Sequence, residues 1–266
     1  MDFDAFERSS WEGRAEAYER GFALMTAHLV EPLLNSAAVG PRTRLLDVGC
    51  GPGPVTAAAL ALGARVTSVD ADLDMAELVA RRHPHTEVRV AVLPDLPFPD
   101  ESFDAVIGNF VVNHTGDPAA AARELHRVLR PGGTIALTCW KYPEHRAGAV
   151  FSEALRSAGA DHPADVPTES PFSAYAEPTP FARLLAEAGF EGAAADTLRW
   201  THRVDPGVWW ADVLAGTALT GTVIARQGPA TIDRIRAEYD RIVAGYATPD
   251  GRVALPACAL LAHAVR

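Results

Sequence analysis

The feature that most restricts the fold is a glycine-rich turn between a short apolar run and a helical stretch. Arg44-Leu45-Leu46-Asp47-Val48 reads as a β-strand, Gly49-Cys50-Gly51-Pro52-Gly53 as the turn, and Val55 to Leu62 as a helix stopped by Gly63. A strand passing through a tight glycine turn into a helix is the opening half of a βαβ unit. The pattern then repeats. Val66 to Asp70 is β-branched and strand-like, Leu73 to Arg82 is helical and closes before Pro84, and Val88 to Val92, Phe103 to Gly108 and Thr134 to Trp140 are further strands. Asp117 is a helix N-cap with Pro118 at the first helical position. Leu125, Val128 and Leu129 form the apolar face, and Pro131-Gly132-Gly133 ends that helix. Such alternation predicts an α/β fold, a doubly wound and mostly parallel seven-stranded sheet joined by right-handed crossovers.

Beyond Trp140 the pattern loosens. Gly148 to Ala158 and Phe181 to Ala188 read as helices, Leu198 to Val204 and Ala259 to Val265 as the last two strands. Pro206 to Leu219 and Pro229 to Tyr246 are helical stretches between those strands, too long a connection for a hairpin. The expected organisation is a helical lid over 1–40, a ligand-binding core over 41–140, and a helix, loop and sixth strand completing it over 141–205. A helical cap follows over 206–250, and the final strand over 251–266.

Composition narrows the function classes. Lys plus Arg number 24 and Asp plus Glu 34, a net charge of −10 with no basic stretch to offset it. Nucleic acid and anionic membrane are therefore poor partners. Cys50, Cys139 and Cys258 lack metal-ligand spacing and cannot build a disulfide framework, which fits a reducing compartment. The acidic start (Met1-Asp2-Phe3-Asp4) lacks a secretory leader's basic residues, and apolar runs fall short of a membrane span. A cytoplasmic chain, monomeric or homodimeric, is expected.

The glycine turn carries more information when read with two acids. A dinucleotide site calls for G-x-G-x-x-G, but Pro54 occupies the last position here and the spacing is G-x-G-x-G. Asp47 puts a carboxylate beside the turn, which repels a pyrophosphate and attracts an ammonium. This disfavours a nicotinamide-dependent oxidoreductase. Asp70 ends the second strand 21 residues beyond Gly49, the offset at which an acid accepts hydrogen bonds from ribose hydroxyls. The plainer reading of Asp70 is a helix N-cap. A phosphate-free ligand with a ribose at one end and an ammonium at the other is well described by S-adenosylmethionine (SAM).

The segment Leu45 to Gly53 resembles motif I of the class I SAM-dependent methyltransferases, and Val69-Asp70 resembles their ribose-binding acid. Leu96-Pro97-Phe98-Pro99-Asp100-Glu101-Ser102-Phe103-Asp104 and Leu125-His126-Arg127-Val128-Leu129-Arg130-Pro131-Gly132-Gly133 are similar to two later signatures of the small-molecule branch. The resemblance covers roughly residues 10–140. It implies that Gly49 and Gly51 approach the methionine portion of the cofactor, that Gly53 belongs to the same cofactor-binding turn, and that Asp47 orients the ammonium. It further implies that Asp70 takes the ribose with Ala71 beside the adenine, and that Asn109 offers its backbone carbonyl. Val92 stands where the family places an adenine-binding acid, so the backbone around Leu93, or Asp95, takes that role. Tyr18 reaches the methionine end if the N-terminal segment closes as a lid.

Acceptor-site candidates are His114, after the fourth strand and able to deprotonate a hydroxyl, and Trp11, Trp140, Trp209 and Trp210. Trp11 and Tyr18 are seven apart on one face of a helical stretch. Of the adjacent Trp209 and Trp210, one packs in the core and the other lines an apolar pocket. His145 and His202 read as structural, and no metal site is expected. The implied activity is methyl transfer to a small molecule of secondary metabolism, at oxygen first and at carbon or nitrogen next, releasing S-adenosylhomocysteine. A SAM-fold enzyme catalysing a cyclisation or rearrangement, and a non-catalytic SAM-binding module, are the alternatives.

Overall fold

The computed structural model describes residues 3–266; Met1 and Asp2, where the acidic N-terminus begins, lie outside them. Four short helices come first: α1 (Phe3–Trp11), α2 (Ala15–Arg20), α3 (Phe22–Thr26) and α4 (Val30–Ser36). The alternating region follows as β1 (Arg44–Val48), α5 (Pro54–Ala61), β2 (Arg65–Asp70), α6 (Leu73–Arg82), β3 (Glu87–Val90), β4 (Phe103–Gly108), α7 (Pro118–Val128) and β5 (Leu129–Trp140). The remainder is α8 (Arg146–Ser157), α9 (Pro178–Glu187), β6 (Glu191–Val204), α10 (Pro206–Gly216), α11 (Leu219–Ala225), α12 (Pro229–Val243) and β7 (Val253–Val265).

The seven strands form one sheet in the order β3-β2-β1-β4-β5-β7-β6. The β1–β2, β1–β4, β2–β3 and β4–β5 ladders are all parallel. β7 runs against β5: Arg266 N–H reaches Gly133 O at 2.8 Å, whereas Lys141 N–H reaches Cys258 O at 3.1 Å, so one register falls as the other rises. Strand order reverses at β1, which has β2 on one side and β4 on the other. That reversal opens a crevice outside the carboxyl ends of the strands, where sheets of this kind bind ligands.

Two compact units emerge. The first comprises Thr26–Cys139, Glu169–Thr197 and Leu260–Arg266, and the second takes the chain up to Met25 with Trp140–Thr168 and Leu198–Ala259. The stretch 141–205, expected as one completing segment, is thus divided between them. In the first unit, Leu46, Val48, Val106, Ile135 and Leu137 from the strands meet Leu125, Val128, Phe181 and Leu185 from α7 and α9 in one buried cluster. The second unit has its own core of Phe151, Trp209, Trp210, Ile235, Tyr239 and Leu255.

Several elements differ from expectation. β6 begins at Glu191, earlier than Leu198, because its Ala-rich first half has little strand propensity of its own and pairing decides the outcome. The stretch expected to be helical from Pro206 to Leu219 breaks after Gly216: Thr217 is extended, and its Oγ1 donates to Val213 O and accepts from Gly221 N–H. Trp11 and Tyr18 do not share a helix, since Gly13 takes a positive φ of 72° between α1 and α2. Their rings nonetheless meet edge to face at 5.5 Å. Among the described residues no single helix is long and apolar enough to cross a membrane; α10 and α11 together have the composition but are bent by 96°.

Candidate active site

The site grows from β1. Four of its five residues are buried, which carries Asp47 into the interior with 1% of its surface exposed. One carboxylate oxygen, Oδ2, accepts from Thr56 Oγ1 at 2.6 Å, and Thr56 Oγ1 is 2.7 Å from Ser68 Oγ. The other, Oδ1, is buried without a hydrogen-bond partner. Burial pushes the Asp47 carboxyl up to about 7; the Thr56 hydrogen bond opposes this and the nearby Asp70 charge adds to it. A buried, unpartnered carboxylate oxygen is costly unless a cation or donor arrives.

Beyond Val48 the backbone turns through Gly49, with φ of 65°. A Cβ there would lie 2.4 Å from Val111 Cγ2, so both conformation and space call for glycine. Gly53 closes the turn as the left-handed N-cap of α5, with φ of 90°. Between them, Gly51 N–H donates to Asp70 Oδ2 at 2.8 Å, linking the glycine turn to the tip of β2. Asp70 Oδ1 accepts from Asp72 N–H at 3.0 Å. The N-cap of α6 is Asp72, whose side chain accepts from Met75 N–H, which leaves Asp70 free of that duty. Burial raises the Asp70 carboxyl to about 6, against the pull of its two backbone hydrogen bonds.

β4 supplies the opposite wall. Asn109 Oδ1 accepts from Thr138 Oγ1 at 2.9 Å and its Nδ2 donates to Thr26 O at 3.3 Å, so this side chain is committed to structure and its backbone is what it can offer. The chain then bends at Phe110, whose φ is 58° and whose N–H donates to Thr138 Oγ1. His114 closes the short 3-10 turn Val112–His114, near enough to Asp70 to favour that acid's charge. After β3, Asp95 N–H returns to Val92 O at 2.9 Å in a tight turn that buries Leu93 and leaves Val92 and Asp95 exposed. Ala71 is exposed just past Asp70.

The two later signature segments hold each other. Arg127 of α7 donates to Phe98 O at 2.9 Å and to Asp100 at 2.7 Å, and Glu124 accepts from Leu96 N–H at 2.9 Å. The 96–100 loop is thus fixed by charge-assisted bonds to one helix face.

Residues 46–137 match a protein family described as a methyltransferase domain. That stretch is a methyltransferase domain. The chain is 35% identical over 134 residues to an uncharacterized methyltransferase of Mycobacterium tuberculosis, covering 50% of this chain and 53% of that protein. The YcgJ protein of Bacillus subtilis shares the fold with a TM-score of 0.56 at 20% identity, covering 90% of this chain and 98% of that one. A phosphoethanolamine N-methyltransferase of Haemonchus contortus, solved with phosphomonomethylethanolamine and S-adenosylhomocysteine, gives 0.59 at 16% identity, covering 100% of this chain and 60% of that one. The chain spans about half the length of the curated relatives it matches.

The residues of this methyltransferase domain fit SAM on their own geometry. Asp47 holds an unpartnered buried oxygen where an ammonium would be welcome, the Gly49 turn admits no side chain, and Asp70 is held at a strand tip. Asp47, Gly49, Gly51, Gly53, Asp70, Ala71, Leu93, Asn109 and His114 all belong to the first unit. Trp11, Tyr18, Trp140, Trp209 and Trp210 belong to the second. There, Tyr18 stacks on Phe22 at 6.1 Å, and Phe22 stacks on Trp209 at 5.3 Å and meets Trp140 edge-on at 5.8 Å.

Trp209 and Trp210 correct an expectation: both are core residues. Trp209 is fully buried and donates its Nε1–H to Ala147 O at 2.9 Å, and Trp210 stacks on Phe151 at 5.9 Å with Arg236 over its ring at 5.3 Å. Both can be buried because residues one apart on a helix are about 100° apart, within the one side of α10 that also buries Val213 and Gly216. Sequence reasoning missed Thr56, which holds Asp47, Ser68, which bonds to Thr56, and Val111, which packs against the turn. For the first two the only signal was a hydroxyl in an otherwise apolar helix and another in a β-branched strand.

Proposed function

We propose that this protein transfers a methyl group from SAM to a small-molecule acceptor of secondary metabolism, in the cytoplasm and at an oxygen atom first. The observation that carries this reading is the unpartnered Oδ1 of buried Asp47, next to a glycine turn tied by Gly51 N–H to Asp70. When bound, SAM supplies a methyl group on a sulfonium whose departure leaves a neutral thioether. The chain's part is to bind, orient and exclude water. Asp47 attracts the ammonium, the turn lets the backbone approach, and Asp70 accepts from ribose hydroxyls while Ala71 and the Leu93 backbone flank the base. Positioning then supplies much of the catalysis. For a hydroxyl acceptor, His114 would remove the proton. The chain's charge of −10 supports a small acceptor over nucleic acid.

Calorimetry with SAM and with NADH, followed by detection of S-adenosylhomocysteine over a panel of phenols, carboxylic acids and amines, tests the reading. SAM binding with product formed from a hydroxyl or carboxyl acceptor is the expected result. NADH binding without SAM binding would overturn it, and SAM binding without S-adenosylhomocysteine from any acceptor would remove the transferase activity.

A further inference from the structure

The second unit gathers positive charge in one place. In a chain of net charge −10, an open cleft of about 670 Å³ brings Arg146, Arg156 and Arg241 together against a single carboxylate, Glu153. All of its residues belong to the second unit, and none of the residues fitted to SAM lines it. Helix dipoles account for two of the arginines singly. Arg156 lies in the last turn of α8 and Arg241 in that of α12, where a cation meets the negative end. They do not account for Arg146, the first residue of α8, where the dipole repels a cation. Nor do they account for three cations sharing one cleft, since gathering like charges costs energy.

One arginine serves as frame and two remain to bind. Arg146 Nη1 and Nη2 donate to Glu153 Oε1 and Oε2 at 2.7 and 2.9 Å, and its Nε donates to Tyr246 Oη at 3.0 Å. Both oxygens of the one acid are thereby held against the wall. The Arg146 bond keeps the Glu153 carboxyl below its usual range against the opposing effect of burial, and the charges of Arg156 and Arg241 lower it further. All three cations therefore act at the same point. Arg241 gives Nε and Nη2 to Glu238 Oε2, at 2.9 and 2.7 Å, and keeps Nη1 for another acceptor. Arg156 is exposed, and its guanidinium has no ion-pair or hydrogen-bonding partner among the described residues. Ile242 and half-buried Tyr246 add apolar surface to the lining.

We propose that this cleft binds a small organic phosphate, Arg156 and Arg241 taking the phosphate oxygens and Ile242 and Tyr246 the organic part. Three arginines against Glu153 leave a surplus of two positive charges, which a phosphate dianion matches. Phosphate oxygens also suit the forked guanidinium. The volume is that of a small-molecule site and exceeds the needs of an inorganic ion. The proposal does not depend on the methyltransferase reading, which concerns the glycine turn of the other unit.

The probe is phenyl phosphate, followed by phosphorus nuclear magnetic resonance at fixed ionic strength as protein is added with S-adenosylhomocysteine present. Its signal should shift saturably, and inorganic phosphate should bind about threefold or more weakly for want of a ring. Arg156→Gln and Arg241→Gln should each weaken phenyl phosphate by about fivefold or more through a lost charge-assisted bond. Arg183→Gln removes the same charge from an exposed arginine of α9 paired with Glu187, and should leave the affinity unchanged. A wild-type titration without a saturable shift overturns the proposal. Equal weakening by Arg183→Gln also overturns it, because diffuse net charge would then explain the binding. Equal affinity for phosphate and phenyl phosphate removes the organic part. The wild-type titration stands even where a variant fails to fold, and the arginine variants locate the anion whatever the glycine turn holds.

Discussion

Replacing Asp47 with asparagine should flatten the pH dependence of SAM binding and stabilise the ligand-free protein. The carboxyl is raised from 3.8 to about 7, chiefly by burial, and that difference corresponds to about 4 kcal/mol of disfavoured charge. The folded pKa lies above the unfolded one, so between those values the folded chain holds a proton that the unfolded chain has released. Stability from the neutral form is therefore fully present below pH 3.8 and is lost as pH rises through 7. Asp47→Asn removes the charge while its amide oxygen can still accept from Thr56. At pH 8 the ligand-free variant should gain up to about 4 kcal/mol over wild type, less whatever the weaker Thr56 bond forfeits.

Binding runs the other way. Only charged Asp47 attracts an ammonium, and with a pKa of about 7 its charged fraction rises about tenfold from pH 6 to pH 8. Wild-type SAM affinity should rise by about that factor, with a proton released on binding below pH 7. Calorimetry in buffers of different ionisation enthalpy measures the proton, and denaturant titration at pH 5 and pH 8 measures the stability. Asp47→Asn should bind more weakly at pH 8 and retain a slope only near pH 6, where Asp70 titrates. Wild-type affinity that stays level from pH 6 to pH 8 would refute the reasoning, as would a variant that keeps the full slope.

Asp70→Ala should weaken SAM binding by about 1–3 kcal/mol through lost charge-assisted hydrogen bonds, and unchanged affinity by calorimetry would remove Asp70 from the site. His114→Ala should lower turnover far more than SAM affinity, and equal turnover would assign it a structural part only. Gly49→Ala places a methyl 2.4 Å from Val111 Cγ2 at a φ of 65°. Denaturant titration should show a loss of about 2–5 kcal/mol from crowding and left-handed strain together. Adding Val111→Ala should return the crowding share and leave the strain.

The parts of the fold that were legible are those in which local signals agree. β1, the glycine turn, α5 and β2 each carry their own punctuation: an apolar run, φ-permissive residues, an alanine-rich helix and an acid at a strand tip. Distant contacts decided the rest. The alanines of β6 favour no strand by themselves, and the seven-residue spacing of Trp11 and Tyr18 suggested a helix that Gly13 interrupts. Adjacent tryptophans implied different surroundings, yet both Trp209 and Trp210 are buried. Within the site, Asp47 and Asp70 could be read from their spacing to the turn. The Thr56–Ser68 hydroxyl pair could not, because nothing local distinguishes a serine or threonine that reaches a buried acid from one that caps or faces water.

Charge decides which ligand such a site can accept. Asp47, whose carboxyl the charge of Asp70 helps to raise, and Asp70 itself are held in the interior by one threonine, two backbone N–H groups and the field of His114. That arrangement opposes the folded state near neutral pH, which is the expected cost of a site kept ready for a cation. A pyrophosphate placed on the Gly49 turn would add negative charge beside Asp47 and drive both carboxyls further towards protonation. An ammonium on the free Oδ1 would instead draw the pKa of Asp47 down and, by lowering the local field, ease Asp70 as well. Ligand binding and deprotonation of the pair are then one equilibrium, so the sign of the proton taken up or released distinguishes a cationic ligand from an anionic one before any product is sought.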